Sequence, residues 1–121
     1  MIFRLILHEL LATTSGAFAA LFLDFEGETV ELVCERDLSD HDLRIIGAYQ
    51  GIFLGRIRDI CEKLEIGRAR HFKLDFSETA FLATDVKDGY YLVLLADHRA
   101  LNEAMVWRKL DECRDKLLEE M

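Results

Sequence analysis

The residues most often used for metal binding or redox chemistry are scattered along this chain. Its four histidines and three cysteines are widely separated: His8, His41, His71, His98, Cys34, Cys61 and Cys113. A metal site needs three or four converging donors, and a zinc or redox motif needs closely spaced cysteines. We therefore predict no metal and no cofactor. The cysteines lie in apolar neighbourhoods and are interpreted as small core residues in a reducing compartment.

Groups suited to acid–base or nucleophilic catalysis are equally sparse. Asp24 and Glu26 are close together after an apolar run, but carboxylates at a hairpin are usually solvated turn residues, and no third group supports them. No serine lies in a nucleophile-elbow pattern, and the segment from Gly16 to Ala20 lacks the spacing and the lysine of a phosphate-binding loop. These patterns predict a protein that is not an enzyme.

The composition indicates one compact, acidic domain. The chain has 121 residues, of which 51% are hydrophobic and 31% charged, which predicts a single folded domain over residues 1–121. The formal charge of -8 repels phosphate backbones and anionic headgroups, so we expect no nucleic-acid partner and no direct membrane insertion. No apolar run reaches the roughly 18 residues that span a bilayer, and we predict a cytoplasmic protein.

The elements that would position any functional residue are organised around a long helix from Ser39 to Leu64. Ser39 and Asp42 form a helix-start signature, and Gly67 lies where the helix is expected to stop. At about 100° per residue, one stripe of large apolar residues is predicted to pack on a sheet. The stripe consists of Ile46, Tyr49, Phe53, Ile57, Ile60 and Leu64.

Three glycines follow nearly the opposite side of this helix. Gly47, Gly51 and Gly55 recur at every fourth position, with Ala48 beside them. Glycine inside a helix costs about 1 kcal/mol relative to alanine, so roughly 3 kcal/mol is lost unless something packs there. A ridge without side chains lets another helix approach closely, which favours contact with a partner. Alternatively, a neighbouring loop of the same chain covers the glycines, or they have no structural role.

The remaining periodic segments alternate between helix and strand. They predict a short first helix that starts at about Phe3 and ends near Thr13, followed by strands over 17–25 and 30–35. After the long helix they predict three further strands over 68–76, 79–86 and 90–96, and a last helix capped by Asp97. The first strand is almost continuously apolar and should be central, whereas the second has acidic residues and should lie near an edge. The last three strands are joined by short turns, which predicts an antiparallel meander.

The third strand is predicted to have one apolar and one polar face. Phe72, Leu74 and Phe76 alternate with His71, Lys73 and Asp75. The alternation also divides the one concentration of basic residues in the chain, at positions 68, 70, 71 and 73, between two faces. A basic spot of that size suits an acidic partner surface better than a duplex, and it is equally typical of a solvated strand edge.

This order of elements predicts an α+β fold of the pattern α-β-β-α-β-β-β-α. A five-stranded antiparallel sheet would lie between the long central helix on one face and the N- and C-terminal helices on the other. Along essentially its whole length the chain resembles the Roadblock family, which includes dynein light chains, late-endosomal scaffold subunits and the bacterial gliding-motility partner of a Ras-like GTPase. The resemblance rests on the strand from Ala17 to Asp24 closed by Glu26-Gly27, the small-residue long helix, and the meander ending at Asp97.

The resemblance implies a homodimer in which third strands pair edge to edge and long helices pack side by side. On this sequence the implied interface comprises Gly47, Ala48, Gly51, Leu54 and Gly55 of the helix, and Arg70, Phe72, Leu74 and Phe76 of the strand. The family also implies a small Ras-like GTPase as partner, whose switch loops the dimer would order. Arg44, Arg56 and Arg58 are candidate contacts, and they are equally typical of solvated charges on a helix.

Two other functions fit the same sequence. One is a pure scaffold or adaptor subunit that joins proteins in a signalling or motor assembly without acting on a nucleotide cycle. The other is a small-molecule sensing domain, which would need a cavity between sheet and helix. The predicted inner stripe of the long helix is so densely filled with large residues that a closed core is favoured.

Overall fold

The computed structural model of the protein describes residues 2–121. Along the chain these form α1 (Ile2–Thr13), β1 (Ala17–Leu23), β2 (Thr29–Cys34), α2 (Asp40–Leu64), β3 (His71–Asp75), β4 (Thr79–Asp85), β5 (Tyr91–Asp97), a short 3-10 turn (His98–Ala100) and α3 (Glu103–Glu119). The predicted order of helices and strands is confirmed.

The strands form one antiparallel sheet in the order β2-β1-β5-β4-β3. β1 is buried along its whole length, which confirms that a continuously apolar strand lies at the centre. β3, β4 and β5 form the predicted meander. β2 and β3 are therefore the two edges of the sheet.

Each face of the sheet carries its own hydrophobic core. On one face α1 and α3 pack against β-sheet residues such as Phe22, Leu82 and Leu94, and the inner stripe of α3 is buried as predicted: Val106, Leu110, Cys113 and Leu117. On the other face α2 covers residues such as Leu21 and Val93. The result is the expected three-layer arrangement.

Local capping sets the ends of the helices. The Ser39 side chain accepts a hydrogen bond from the Asp42 amide at 3.1 Å, as predicted. Two boundaries differ from prediction. The left-handed residue that ends α2 is Glu65 rather than Gly67. Asp97 caps the 3-10 turn, and Asn102, five residues later, accepts from the Met105 amide to cap α3, because the inserted turn delays the start of the helix.

Candidate functional site

The long helix α2 lies on the sheet through the side opposite to the predicted one. Its buried residues are Leu43, Gly47, Gln50 and Leu54. Four of the six residues predicted for the core are exposed, with Tyr49 69% accessible, and the other two, Ile46 and Ile57, are only half-buried. The predicted direction of both faces of this helix is therefore wrong.

The reason is the close approach of α2 to the β1–β2 hairpin. A Cβ at Gly47 would lie 2.8 Å from Leu23 Cδ2, and a Cβ at Gly51 would lie 2.3 Å from the Cα of Gly27. The sheet beneath the helix presents large residues such as Leu21 and Leu23, so the helix can approach the sheet and hairpin closely only where its own residues are small. Gly27 itself has φ +85°, a conformation that suits the tight turn facing the helix.

Of the explanations considered for the glycine ridge, coverage by the same chain is correct at Gly47 and Gly51. A Cβ at Gly55 would meet nothing within 4 Å outside its own part of the helix. Leu54 is 2% exposed, so it too belongs to the interior of the protomer. The interface implied for the helix therefore cannot be built on Gly47 or Leu54, whose surfaces are already used, whereas Ala48 is exposed.

The side of α2 that faces away from the sheet carries a row of large apolar residues, which we name the outer stripe. It consists of Ile45, Tyr49, Ile52, Phe53 and Ile60, each at least 42% exposed. Such a contiguous row on one helix face is typical of a protein–protein interaction surface. Arg56 is also exposed and falls within this stripe at helical spacing.

The outer stripe continues onto the apolar face of β3. The rings of Phe53 and Phe72 lie 4.8 Å apart between centroids, and Phe72 and Leu74 are half-buried. At the end of the strand Phe76 is 49% exposed and packs edge-on against Phe81 at 5.0 Å. α2 lies mainly over β1 and β2, so this half of the sheet face is only partly covered.

The backbone of β3 forms an open edge. Arg70 O accepts from Asp85 N at 3.0 Å, and Phe76 N donates to Thr79 O at 2.8 Å. Because paired residues alternate along an antiparallel ladder, the backbone groups of His71, Lys73 and Asp75 point away from β4. They have no hydrogen-bond partner within the described part of the chain, residues 2–121. Such an edge can accept another strand.

The predicted polar face of β3 packs against α3, a contact that the alternation alone did not indicate. Lys73 Nζ lies 2.8 Å from Glu103 Oε2, which raises the pKa of the lysine and lowers that of the carboxyl group. The imidazole of His71 stacks on Trp107, with 4.4 Å between centroids. Arg70 is exposed. The basic spot is thus largely engaged with acidic residues of the same chain.

The three candidate arginines do not converge on one surface. Arg56 lies in the outer stripe, about 120° around the helix from Arg44 and about 160° from Arg58 at 100° per residue. Arg44 is exposed and lines a small groove beside the β1–β2 turn. Arg58 is half-buried and donates to Gly89 O at 3.4 Å. Arg56 is therefore the best placed of the three for a partner bound at the stripe.

Two further features of the surface are a groove beside the start of α2 and the carboxylate of Asp24 at the β1–β2 turn. The groove of about 730 Å³ is lined by Ile46 of α2 and by sheet residues such as Phe81 and Leu95, and it is open to solvent rather than enclosed. Asp24 accepts from the amides of Glu26 and Glu28, and so shapes the hairpin turn. Within residues 2–121, no three His, Cys, Asp or Glu side chains are arranged to hold a metal.

No described helix combines the length and apolar character needed to cross a bilayer.

The residues of the outer stripe were not predicted to lie on the surface. Ile45 and Ile52 were not among the predicted site residues, and Tyr49, Phe53 and Ile60 were predicted to lie in the core. The glycine of the hairpin turn, together with glycines four residues apart in the helix, could have indicated a close helix–hairpin contact.

Comparisons with known proteins identify the fold. No family model and no curated protein matches the sequence. Solved structures do match in shape. A Roadblock/LC7 domain from Streptomyces avermitilis aligns with TM-score 0.85 at 14% identity, covering 97% of this chain and 95% of its own. MglB of Myxococcus xanthus aligns with TM-score 0.86 at 12% identity, covering 98% and 93%. The gliding protein MglB of Thermus thermophilus aligns with TM-score 0.83 at 17% identity, covering 97% and 86%. The chain has the Roadblock fold.

Proposed function

We propose that this Roadblock-fold domain is a non-enzymatic homodimeric interaction module that binds and regulates a small Ras-like GTPase. The observation that carries the proposal is the outer stripe of α2, which runs onto the open edge of β3. Exposed apolar side chains and unpaired strand backbone are both liabilities in an isolated protomer. One two-fold interface in which β3 pairs with β3 and α2 packs beside α2 would remove both at once.

The proposed interface replaces the implied helix residues with those that are accessible. The helix contributes the outer stripe instead of the glycine ridge, and the strand contributes Phe72, Leu74 and Phe76 with the outward backbone groups of Lys73. The half of the sheet face that α2 leaves partly covered provides the space for the partner's helix. Pairing would produce one continuous sheet through two protomers, with the two α2 helices side by side on one face.

The GTPase would bind the assembled surface rather than one protomer. Two similarities support a GTPase as partner. The fold is similar to that of the MglB structures, and the sequence resembles a family that includes the gliding-motility partner of a Ras-like GTPase. The domain would order the switch loops of the GTPase, so that the GTPase's own groups are positioned around the γ-phosphate. Arg44 is the first candidate contact, because its side chain is exposed and lies about 120° around α2 from Arg56, away from the outer stripe that the dimer would bury.

The dimer is tested by placing a charge in the outer stripe. Ile52→Glu should give a folded monomer, because a carboxylate buried at an apolar interface is strongly unfavourable. Leu5→Glu is the matched control, since Leu5 is an exposed leucine of α1, 63% accessible, on the other face of the sheet. Light scattering should give two chains of 14.0 kDa for the wild type and the control, and one chain for Ile52→Glu. A monomeric wild type, or a dimeric Ile52→Glu, would contradict the proposed interface.

Regulation is tested with the Ras-like GTPase encoded nearest to this protein. Its rate of GTP hydrolysis should rise when the wild-type dimer is added, and Arg44→Ala should weaken the effect without changing the dimer mass. A scaffold or adaptor subunit is the second candidate, because the same outer stripe would serve either role. Binding of the GTPase with an unchanged hydrolysis rate and nucleotide release would favour the scaffold.

A further inference from the structure

The two edge strands of the sheet, β2 and β3, differ in whether their outward backbone groups have hydrogen-bond partners. In β2, Glu35 N donates to Phe18 O at 2.8 Å, so the hydrogen-bonded positions of the β1–β2 ladder are Glu35, Val33 and Glu31. The backbone groups of Leu32, in the middle of the strand, and of Cys34, at its end, therefore point outward to where a further strand would bind. In β3, by contrast, the outward backbone groups of His71, Lys73 and Asp75 have no hydrogen-bond partner within residues 2–121.

At β2 the outward groups of Leu32 are already occupied by side chains. Glu31 Oε1 accepts a hydrogen bond from the Leu32 amide at 3.1 Å. Arg4 Nη1, reaching over from α1, lies 3.1 Å from the same carboxylate oxygen and 3.5 Å from Leu32 O. We name this arrangement of Arg4, Glu31 and the Leu32 peptide groups the edge clamp. It occupies both the donor and the acceptor of Leu32, the outward position in the middle of β2.

The positions of the two charged residues explain why the clamp forms. Glu31 shares the face of β2 with Val33, which belongs to the core beneath α1 and α3. Its carboxylate is therefore on the side from which Arg4 approaches. Hydrogen bonds that involve charged groups are stronger than those between neutral ones, so an incoming backbone would have to displace better partners than water.

We propose that the edge clamp closes β2 to a second copy of this chain, so that the sheet grows only through β3 and ends after two protomers. The inference rests on the β3 pairing of the proposed function. If both edges accepted strands, each dimer would expose two further β2 edges and would add copies without limit. Because β3 pairs with the β3 of a second copy and the edge clamp blocks β2, the sheet has a finite number of strands.

The test is removal of the clamp by Arg4→Ala combined with Glu31→Ala. Glu9→Ala with Lys116→Ala is the matched control, because it also removes an ion pair between α1 and another element, at 2.7 Å, away from either sheet edge. In light scattering over a hundredfold range of concentration, the wild type and the control should stay at the dimer mass. The clamp variant should at least double its weight-average mass, and Val30→Lys added to it should restore the dimer. A clamp variant that remains dimeric at the highest concentration would overturn the inference.

The result also separates the two proposals. If the wild type is monomeric, β3 pairing is refuted, and the clamp is judged by whether its removal then produces dimers through β2. A monomeric clamp variant would refute the clamp as well. Should the double variant not fold, amide exchange decides: the Leu32 amide should exchange at least tenfold faster in Glu31→Ala than in the wild type. Equal rates would overturn the inference, because they would show that the carboxylate does not hold this amide.

Discussion

Two glycines of α2 allow the orientation of this helix to be tested with a single added methyl group. Gly51→Ala places a Cβ 2.3 Å from the Cα and 2.9 Å from the nitrogen of Gly27. Both are backbone atoms, so no rotamer change can relieve the contact, and the helix or the hairpin must move. Overpacking of this kind costs about 1–3 kcal/mol, and a backbone clash belongs at the upper end. Alanine also gains about 1 kcal/mol of helix propensity, which leaves a net loss of about 2 kcal/mol.

Gly55→Ala provides the matched comparison. It carries the same gain in propensity, and its Cβ would meet nothing within 4 Å outside its own part of the helix. We therefore expect it to raise the free energy of unfolding by about 0.5–1 kcal/mol. The difference between the two variants, about 3 kcal/mol, isolates packing against the hairpin because the propensity term is common to both.

The assay is urea unfolding followed by circular dichroism, at one protein concentration because association itself stabilises the folded state. Gly51→Ala should unfold at lower urea than the wild type, and Gly55→Ala at higher urea. Light scattering should give an unchanged mass for both folded variants. The orientation would be refuted if both alanines stabilised the protein equally. It would also be refuted if Gly51→Ala produced a stable monomer from a dimer.

Two further predictions concern side chains whose surroundings are described above. Burial raises the pKa of the Cys113 thiol to about 12 from its ordinary value of 9.0, so the folded state holds the proton while the unfolded chain ionises. Stability should be independent of this group below about pH 9 and then fall by up to about 1.4 kcal/mol per pH unit toward pH 12, and Cys113→Ala should flatten that decline in urea unfolding. A decline of equal slope in that variant would exclude Cys113 as its source. Arg58→Ala should lower the free energy of unfolding by about 1 kcal/mol through loss of the contact with Gly89, whereas Arg56→Ala should change it by less than about 0.5 kcal/mol. Equal effects of the two arginine variants would contradict the contact.

Much of the fold could be predicted because its signals are local. The Ser39 cap is a side chain that bonds an amide three residues away, and the continuous apolar run of β1 requires cover on both faces. The alternation of Phe72 and Lys73 along β3 also sorts side chains by the geometry of one strand. None of these patterns depends on which distant helix or strand packs against the segment, so each can be interpreted without knowledge of the fold.

The interaction surface could not be predicted in the same way. The apolar stripe containing Tyr49 and Ile60 satisfies the same periodicity whether it faces the sheet of its own chain or a second protein. Hydrophobicity alone does not distinguish these two destinations. The edge clamp could not be predicted from the sequence either, because Arg4 and Glu31 are 27 residues apart and come into contact only when α1 packs beside β2.

The sequence by itself determined the order of elements, the buried central strand, the two-faced third strand and the presence of two contrasting faces on α2. Only the tertiary structure decided which of those faces is turned inward. The reason is the short distance between α2 and the hairpin that contains Gly27. Only the side of the helix that carries glycines can pack so close to this hairpin. The large apolar residues are consequently left on the surface, where they mark the place at which this domain is proposed to meet a second copy of itself.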